Sequence, residues 1–350
     1  ERGSWIAAAG AFKRRGVGIA AVFNAMGYGR GLPDSAIAKI ELTPEGTIRL
    51  YCGVSDMGQG NATAFSQITG QILCQENIAI ELIQPDTART LPSGSASAGR
   101  TTYTYGNALI RACEELRRRV LGRAALGLLV DTLEDLELLP GRVRHPATGR
   151  ELSLAMLAAT MSEPERICIS QFLMPVVRDV PDTGKAFAIG FPHLLYAHAA
   201  HVACVEVDEL TGAVDVKAYL AATEAGRVLN PQGFEQQVQG AVAQGIGYAL
   251  CEEVKLEKGR LLTPDMATYI IPSAPDIPEM ISLAVEMEEP SGPYGMKGVG
   301  EVGMNGPLPA IAGAVARACG VVGLCRAPLT AERVLAALRQ KNAVHRNEDE

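Results

Sequence analysis

The chain has 350 residues, 47% hydrophobic and 20% charged, enough for more than one lobe with its own core. A net charge of −7 offers no basic face for a phosphate backbone, which argues against a nucleic-acid partner. No apolar run of about 18 residues is present, so no membrane span is expected. The eight cysteines form no C-x-x-C pair, neither a disulfide framework nor an iron–sulfur pattern. Reduced thiols in a cytoplasmic protein are the simplest account, and the chain begins at Glu1 with no leader-like segment.

Residues 37–54 predict a hairpin. Ala38, Ile40 and Leu42 alternate with polar neighbours, as do Ile48, Leu50, Cys52 and Val54, and Pro44-Glu45-Gly46 supplies the turn. Asp56-Met57-Gly58-Gln59-Gly60-Asn61 then breaks the strand, and a helix runs to about Cys74. Such a junction aims backbone N–H groups at a ready anion site. The small-residue loop at 92–102 contains Ala98, Gly99, Arg100 and Thr101. Its hydroxyls, N–H groups and arginine suit a phosphate or other oxyanion, and a plain loop fits equally well. It leads into a long helix with Leu109, Cys113, Leu116 and Val120 on one stripe. Glu114/Arg118 and Glu115/Arg119 have i,i+4 spacing on its solvated face. Residues 126–162 read as a peripheral excursion.

A second hairpin sets Val205 and Val207 opposite Val214 and Val216, turned by Glu209-Leu210-Thr211-Gly212. After Gly226-Arg227-Val228-Leu229-Asn230-Pro231 comes a helix over 232–250. Its stripe of Gln237, Ala241, Gln244 and Tyr248 suggests a polar group packed against it, since buried amides need partners. His193, His198 and His201 cluster, but on a strand His198 and His201 point to opposite faces, a poor metal site.

The most informative stretch is Lys297-Gly298-Val299-Gly300-Glu301-Val302-Gly303-Met304-Asn305-Gly306-Pro307, one carboxylate among glycines before an alanine-rich helix over Ala310–Ala318. Gly298, Gly300 and Gly303 fit the spacing G-x-G-x-x-G. No strand precedes them, and no acid lies between Gly303 and Glu332, so a nicotinamide-binding reading fails. Glu301, with no neighbouring side chain to hide it, is a candidate general base.

Five ordered segments together resemble the molybdenum hydroxylases of the xanthine dehydrogenase and aldehyde oxidase family. They are Asp56–Gly60, Ala98–Thr102, Gly226–Pro231, Gln237–Ala241 and Lys297–Glu301 with its following Asn-Gly-Pro-Leu-Pro-Ala-Ile, and the likeness spans about residues 14 to 340. The chain looks like the second half of the family's molybdopterin-binding subunit. The Gly-Gly-Gly-Phe-Gly-Gly-type loop and metal-proximal arginine of the first half are missing. In nicotinate dehydrogenase-type enzymes the subunit is split, and this chain resembles the smaller piece; a fragment of a longer subunit is the alternative.

The resemblance implies an α+β fold of two elongated lobes mixing β-hairpins and helices. The first would cover 1–180 with the excursion at 126–162. The second, 181–340, would carry the glutamate loop, and a polar tail would fill 341–350. Gly58, Gln59, Gly60, Ala98, Gly99, Arg100, Thr101, Gln237, Lys297, Gly298, Val299 and Gly300 would bind the pterin, with Glu301 as catalytic base. No side chain here would ligate molybdenum directly; the pterin would hold it, in the cytosine dinucleotide form often found in bacterial members. Ala21, Val22, Phe23 and Asn24 would line the substrate pocket, and the small or apolar Ala21 and Val22 favour a nicotinate-like N-heteroaromatic over a purine. Xanthine, purine or aldehyde oxidation, or a non-catalytic scaffold, are the alternatives. Implied partners are the first-half subunit, an iron–sulfur subunit with [2Fe–2S] clusters and a subunit carrying FAD.

Overall fold

The protein is seen in a computed structural model that describes residues 2–29, 31–177, 192–322 and 324–348, with 341–348 as backbone only. In chain order the elements that matter begin with β1 (Lys13–Ala25), β2 (Ser35–Leu42), β3 (Ile48–Tyr51), α1 (Asn61–Leu73) and β4 (Ile80–Ile83). They continue with α2 (Thr101–Leu128), β5 (Ile167–Leu173), β6 (Tyr196–Asp208), β7 (Val214–Glu224) and α3 (Pro231–Leu250). Last come β8 (Glu279–Ala284), α4 (Pro307–Cys319) and α5 (Ala331–Glu348).

These elements form two compact units that interleave along the chain. One comprises 1–24, 196–287 and 299–350; the other comprises 25–195 and 288–298. The contiguous lobes expected from sequence, divided near residue 180, are thus replaced by units that exchange segments. Residues 178–191, where that division fell, lie outside the described residues.

The unit built on 25–195 holds a four-stranded sheet in the order β4-β3-β2-β5. The expected hairpin is there: Ile40 pairs with Leu50 and Leu42 with Ile48, antiparallel. Every second residue of β2 (Ala36, Ala38, Ile40, Leu42) is fully buried, as a strand with one covered face demands. The α2 stripe of Leu109, Cys113, Leu116 and Val120 is buried too. On the outer face Arg118 and Arg119 both turn to Glu115, at 2.7 Å each, so Arg118 takes the i,i+3 acid rather than Glu114. The excursion is a small sheet of its own, Glu137–Leu139, Arg142–Arg144 and Glu151–Ser153, followed by a short helix.

The other unit holds the sheet β1-β6-β7-β8. Val214 faces Val207 and Val216 faces Val205, as the alternation predicts. Asn230 starts α3 by accepting from the Gly233 N–H at 2.9 Å, with Pro231 in the first turn. Phe234, Val238, Val242 and Ile246 of α3 share a core with Ala310, Ile311, Ala314 and Val315 of α4. The helix α5 takes in most of the segment expected as a loose tail; residues 349 and 350 lie outside the described residues.

The class is α+β, with one feature that the sequence pattern conceals. Each main sheet contains a parallel pair, β3 with β4 and β7 with β8. Each pair is bridged by a helix, α1 and α3 respectively, as parallel strands require. Irregular stretches surround both helices and hide that rhythm in the sequence.

Strand β1 meets α4 at backbone distance. A Cβ on Gly18 would fall on the Ala310 carbonyl oxygen, and one on Gly16 on that of Ala314. Arg317 Nη1 ties the seam by donating to the Val17 carbonyl at 2.8 Å. Gly18→Val should therefore cost about 3 kcal/mol or more, since a helix backbone cannot yield as a side-chain tip can. Chemical denaturation of the variant checks this; an unchanged midpoint would show that the seam is loose.

Candidate active site

In the unit built on 25–195, the segments singled out by sequence fold as tight loops ahead of α1 and α2. The strand-to-helix junction at 56–62 supplies its own anion. Asp56 accepts the N–H groups of Gly58 at 2.9 Å, Gly60 at 3.3 Å and Ala62 at 2.9 Å. Burial pushes the Asp56 carboxyl up, but the donors Ala62, Gly58, Gly60 and Gln59 outweigh it and hold it below its ordinary value. The Gln59 side chain folds back, donating to the Ser55 carbonyl at 2.8 Å and accepting from the Met57 N–H at 2.5 Å. The anion site inferred at this junction is thus filled by the chain's own carboxylate. Gly58 and Gly60 still face open space.

Arg100 also departs from expectation. It is 1% exposed and ion-paired with Asp34. Three of its four other N–H donors go to the carbonyls of Ser35 at 2.7 Å, Ser95 at 3.1 Å and Ser93 at 3.2 Å. A guanidinium so engaged cannot meet an incoming oxyanion; it clamps the loop instead. The loop is pinned further by the Gly27 N–H on the Ala98 carbonyl at 2.8 Å. The Tyr28 hydroxyl adds bonds to Ser95 and Ser97. What this leaves for a ligand is the start of α2, where Thr101 and Thr102 are half-buried and the first N–H groups lack intrahelical acceptors. Gly298 presses on the same loop: a Cβ there would strike the Gly99 carbonyl oxygen. Lys297 is half-buried beside it in sequence.

In the other unit, Glu301 is exposed and opens a run of turns leading to α4, which starts at Pro307. It is not bare, as the sequence suggested. Asn24 Nδ2 donates to Glu301 Oε2 at 3.3 Å, and Asn305 Nδ2 donates to Asn24 Oδ1 at 3.0 Å. Asn305 was missed by sequence reasoning, although it sits inside the glycine-rich loop. Gly303 lies against α3, where its Cβ would be 3.0 Å from that of Ala241. Gln237, on the preceding turn of α3, is half-buried; Gln244 and Tyr248 are exposed. An open cavity of about 420 Å³ has Tyr248, Met304, Asn305 and Leu308 in its wall.

The four residues at 21–24 divide by strand alternation. Val22 packs against the cluster of Ala197, Ala199 and Val302, and Asn24 reaches Glu301. Ala21 and Phe23 are exposed on the opposite face, with Phe23 edge-on to Tyr196 at 5.8 Å. Only Val22 and Asn24 therefore share the glutamate's side.

His201 and His198 do fall on opposite faces of β6. His201 is fully buried, 2.9 Å from the Tyr219 hydroxyl through Nδ1, and its ring fills the space beneath Gly306. His193 belongs to the other unit and meets the Met26 carbonyl at 3.1 Å. Among the described residues no three His, Cys, Asp or Glu side chains form a metal-binding group. No helix among them is long and apolar enough to cross a membrane.

The model of the molybdopterin cofactor-binding domain matches residues 1–278. The chain belongs to that family. It is 32% identical over 334 residues to a probable xanthine dehydrogenase subunit of Bacillus subtilis, covering 94% of this chain and 43% of the relative. It is 29% identical to the gamma subunit of the 6-hydroxypseudooxynicotine dehydrogenase complex of Paenarthrobacter nicotinovorans, covering 95% of this chain and 41% of the relative. The fold matches the aldehyde oxidoreductase of Desulfovibrio desulfuricans with a TM-score of 0.77 and 26% identity, over 96% of this chain and 33% of that one. The chain thus spans less than half the length of these relatives and falls within the xanthine dehydrogenase and aldehyde oxidase family.

The residues present fit a pterin in part. The start of α2 offers N–H groups and hydroxyls to a polar, phosphate-bearing group, and Gly58, Gly60 and Gly300 stand where an added Cβ would meet nothing within 4 Å. The Arg100 guanidinium does not fit that role, because it is committed to Asp34.

Two measurements probe these loops. Asp56→Ala should cost about 1–2 kcal/mol, as loss of a helix cap does. Its contribution is present above the ordinary aspartate range and fades as pH falls through the lowered folded value, so wild type and variant should converge in acid. Burial drives His201 down to about 4 from 6.5. The unfolded chain binds the extra proton first, so stability should drop as pH falls from 6.5 towards 4, by roughly 2–3 kcal/mol. His201→Phe should flatten that limb in pH-dependent melts; an unchanged slope would remove His201 as its source.

Proposed function

We propose that the chain is the second half of the molybdopterin-binding subunit of a multi-subunit molybdenum hydroxylase. The reaction would hydroxylate an electron-poor N-heteroaromatic, nicotinate-like in character, with water as oxygen source. The observation that carries this reading is Glu301: an exposed carboxylate, held by an amide at 3.3 Å, on a glycine-bounded turn. Its exposure leaves it within reach of a substrate, and its anchoring holds it for proton transfer.

The molybdenum–pterin group would supply an oxygen drawn from water and a sink for two electrons. The N–H groups of Thr101 and Thr102 and the backbone of Ala98–Gly99 would hold that group. Gly58, Gln59, Gly60, Gln237, Lys297, Gly298, Val299 and Gly300 would lie along it. Glu301 would accept, at its carboxylate oxygens, the proton given up by the water-derived nucleophile, a general-base task, while the two electrons of the substrate C–H bond pass to the sink that the bound group supplies. Val22 and Asn24, on the glutamate's side of β1, would border the substrate. The small Val22 side chain supports a heteroaromatic ring, and a relative named for a nicotine-related compound points the same way. The cytosine dinucleotide form of the cofactor and a cytoplasmic location complete the reading.

The eight cysteines follow no cluster-binding spacing, which supports electron carriers held outside this stretch of chain. An iron–sulfur subunit with [2Fe–2S] clusters, a subunit with FAD and the first half of the molybdopterin-binding subunit are the proposed partners. Ile281, Leu283 and Val285 lie half-exposed on and just beyond β8, which supports a covering partner.

Glu301→Gln, assayed in the complex purified from its host, should keep molybdenum and lose at least about 10²-fold in turnover. Near-normal turnover would take Glu301 out of the reaction. An intact complex with no molybdenum would favour a non-catalytic scaffold.

A further inference from the structure

We infer that Asn24 and Asn305 are positioning residues that act in series on Glu301. The inference deepens the proposed function and rests on it for the catalytic role of Glu301.

The chain of bonds has one direction. A carboxylate accepts and does not donate, while an asparagine amide has one accepting and one donating end. Asn305 Nδ2 donates to Asn24 Oδ1 at 3.0 Å. With its oxygen engaged there, Asn24 turns Nδ2 to Glu301 Oε2 at 3.3 Å. The flipped Asn24 amide would set its oxygen against the carboxylate and its nitrogen against the Asn305 nitrogen. The carboxylate, which can only accept, thus sets the Asn24 orientation, and the Asn305 donor on Asn24 Oδ1 stabilises it.

The backbones that carry these side chains are fixed from different sides. Asn24 extends the β1 face that begins with Gly16 and Gly18 against α4. Asn305 precedes Gly306, which rests on the buried His201 ring. Within the turn, the Met304 N–H donates to the Glu301 carbonyl at 2.9 Å. Glu301 and Asn305 therefore leave one turn together, and the strand supplies the amide that links them. Holding an exposed glutamate near one geometry is a contribution to turnover more than to substrate affinity.

Three variants in the native complex test this. Asn24→Ala should lower kcat by about tenfold, with any change in KM from its place beside the substrate the smaller effect. Asn24→Asp, nearly the same shape, should be worse still, because it replaces the donor with a like charge. Asn305→Ala, a change at an exposed side chain, should lower kcat in the wild-type background and add nothing to Asn24→Ala. A second readout needs no bound cofactor. In infrared spectra of the cofactor-free complex, the Glu301 carboxylate band is the one lost in Glu301→Gln. Asn24→Ala and Asn305→Ala should shift that band alike. Wild-type turnover in Asn24→Asp, or a band that neither variant moves, would overturn the inference. A shifted band in a complex where Glu301→Gln turns over normally would instead sink the proposed function and leave the amide chain standing.

Discussion

The close approach of β1 to α4 sets the geometry on which the glutamate loop depends. Gly16 and Gly18 let the strand run against the helix backbone at Ala310 and Ala314. Larger side chains there would lift the strand by the width of a methyl group or more. The same face then carries Ala20, Val22 and Asn24, so side chains lengthen as the strand passes beyond the helix start. Val22 packs against the cluster that holds Val302, and Asn24 meets Glu301. A functional contact is thereby fixed by packing at the far end of the strand.

The other unit follows a different logic: the charges beside its two loops, Asp56, Asp34 and Arg100, are satisfied internally. Asp56 gathers the N–H groups ahead of α1, and Asp34 neutralises Arg100. Breaking a buried pair of that kind by removing one partner typically costs about 3–5 kcal/mol. Its value here is rigidity, because Arg100 also spans three serine carbonyls and so closes the loop around itself. Such a loop presents a ligand with backbone and hydroxyl groups of fixed direction rather than with a mobile charge.

Much of this was legible in the sequence. Period-two alternation gave both hairpins and the facing valines of the second, a period-3.6 stripe gave α2, and an alanine-rich apolar run gave α4, since each element buries one face. The ordered motifs gave the family. What stayed hidden depends on partners far apart in the chain. Nothing local marks Asp34 as the partner of Arg100, 66 residues on, or Asn24 as that of Glu301, 277 residues on. The parallel pairs escaped for the same reason: β7 and β8 are adjacent in space but separated by α3 and a long irregular stretch. The four-residue pocket segment is divided by a local rule, because consecutive strand residues point to opposite faces.

The glycines of the glutamate loop show why composition alone misleads. A run spaced G-x-G-x-x-G invites a phosphate-gripping reading, in which the backbone bends around an anion. Here the glycines answer to separate neighbours. Gly298 makes room for the Gly99 carbonyl, Gly303 for Ala241, and Gly306 for the His201 ring. Only at Gly300 would a side chain meet open space, next to Glu301 itself. Three of the four glycines thus serve to lay the chain closely on what is already packed. The loop's rigidity comes from those contacts, and its chemistry is left to the one carboxylate it carries and the amides that aim it.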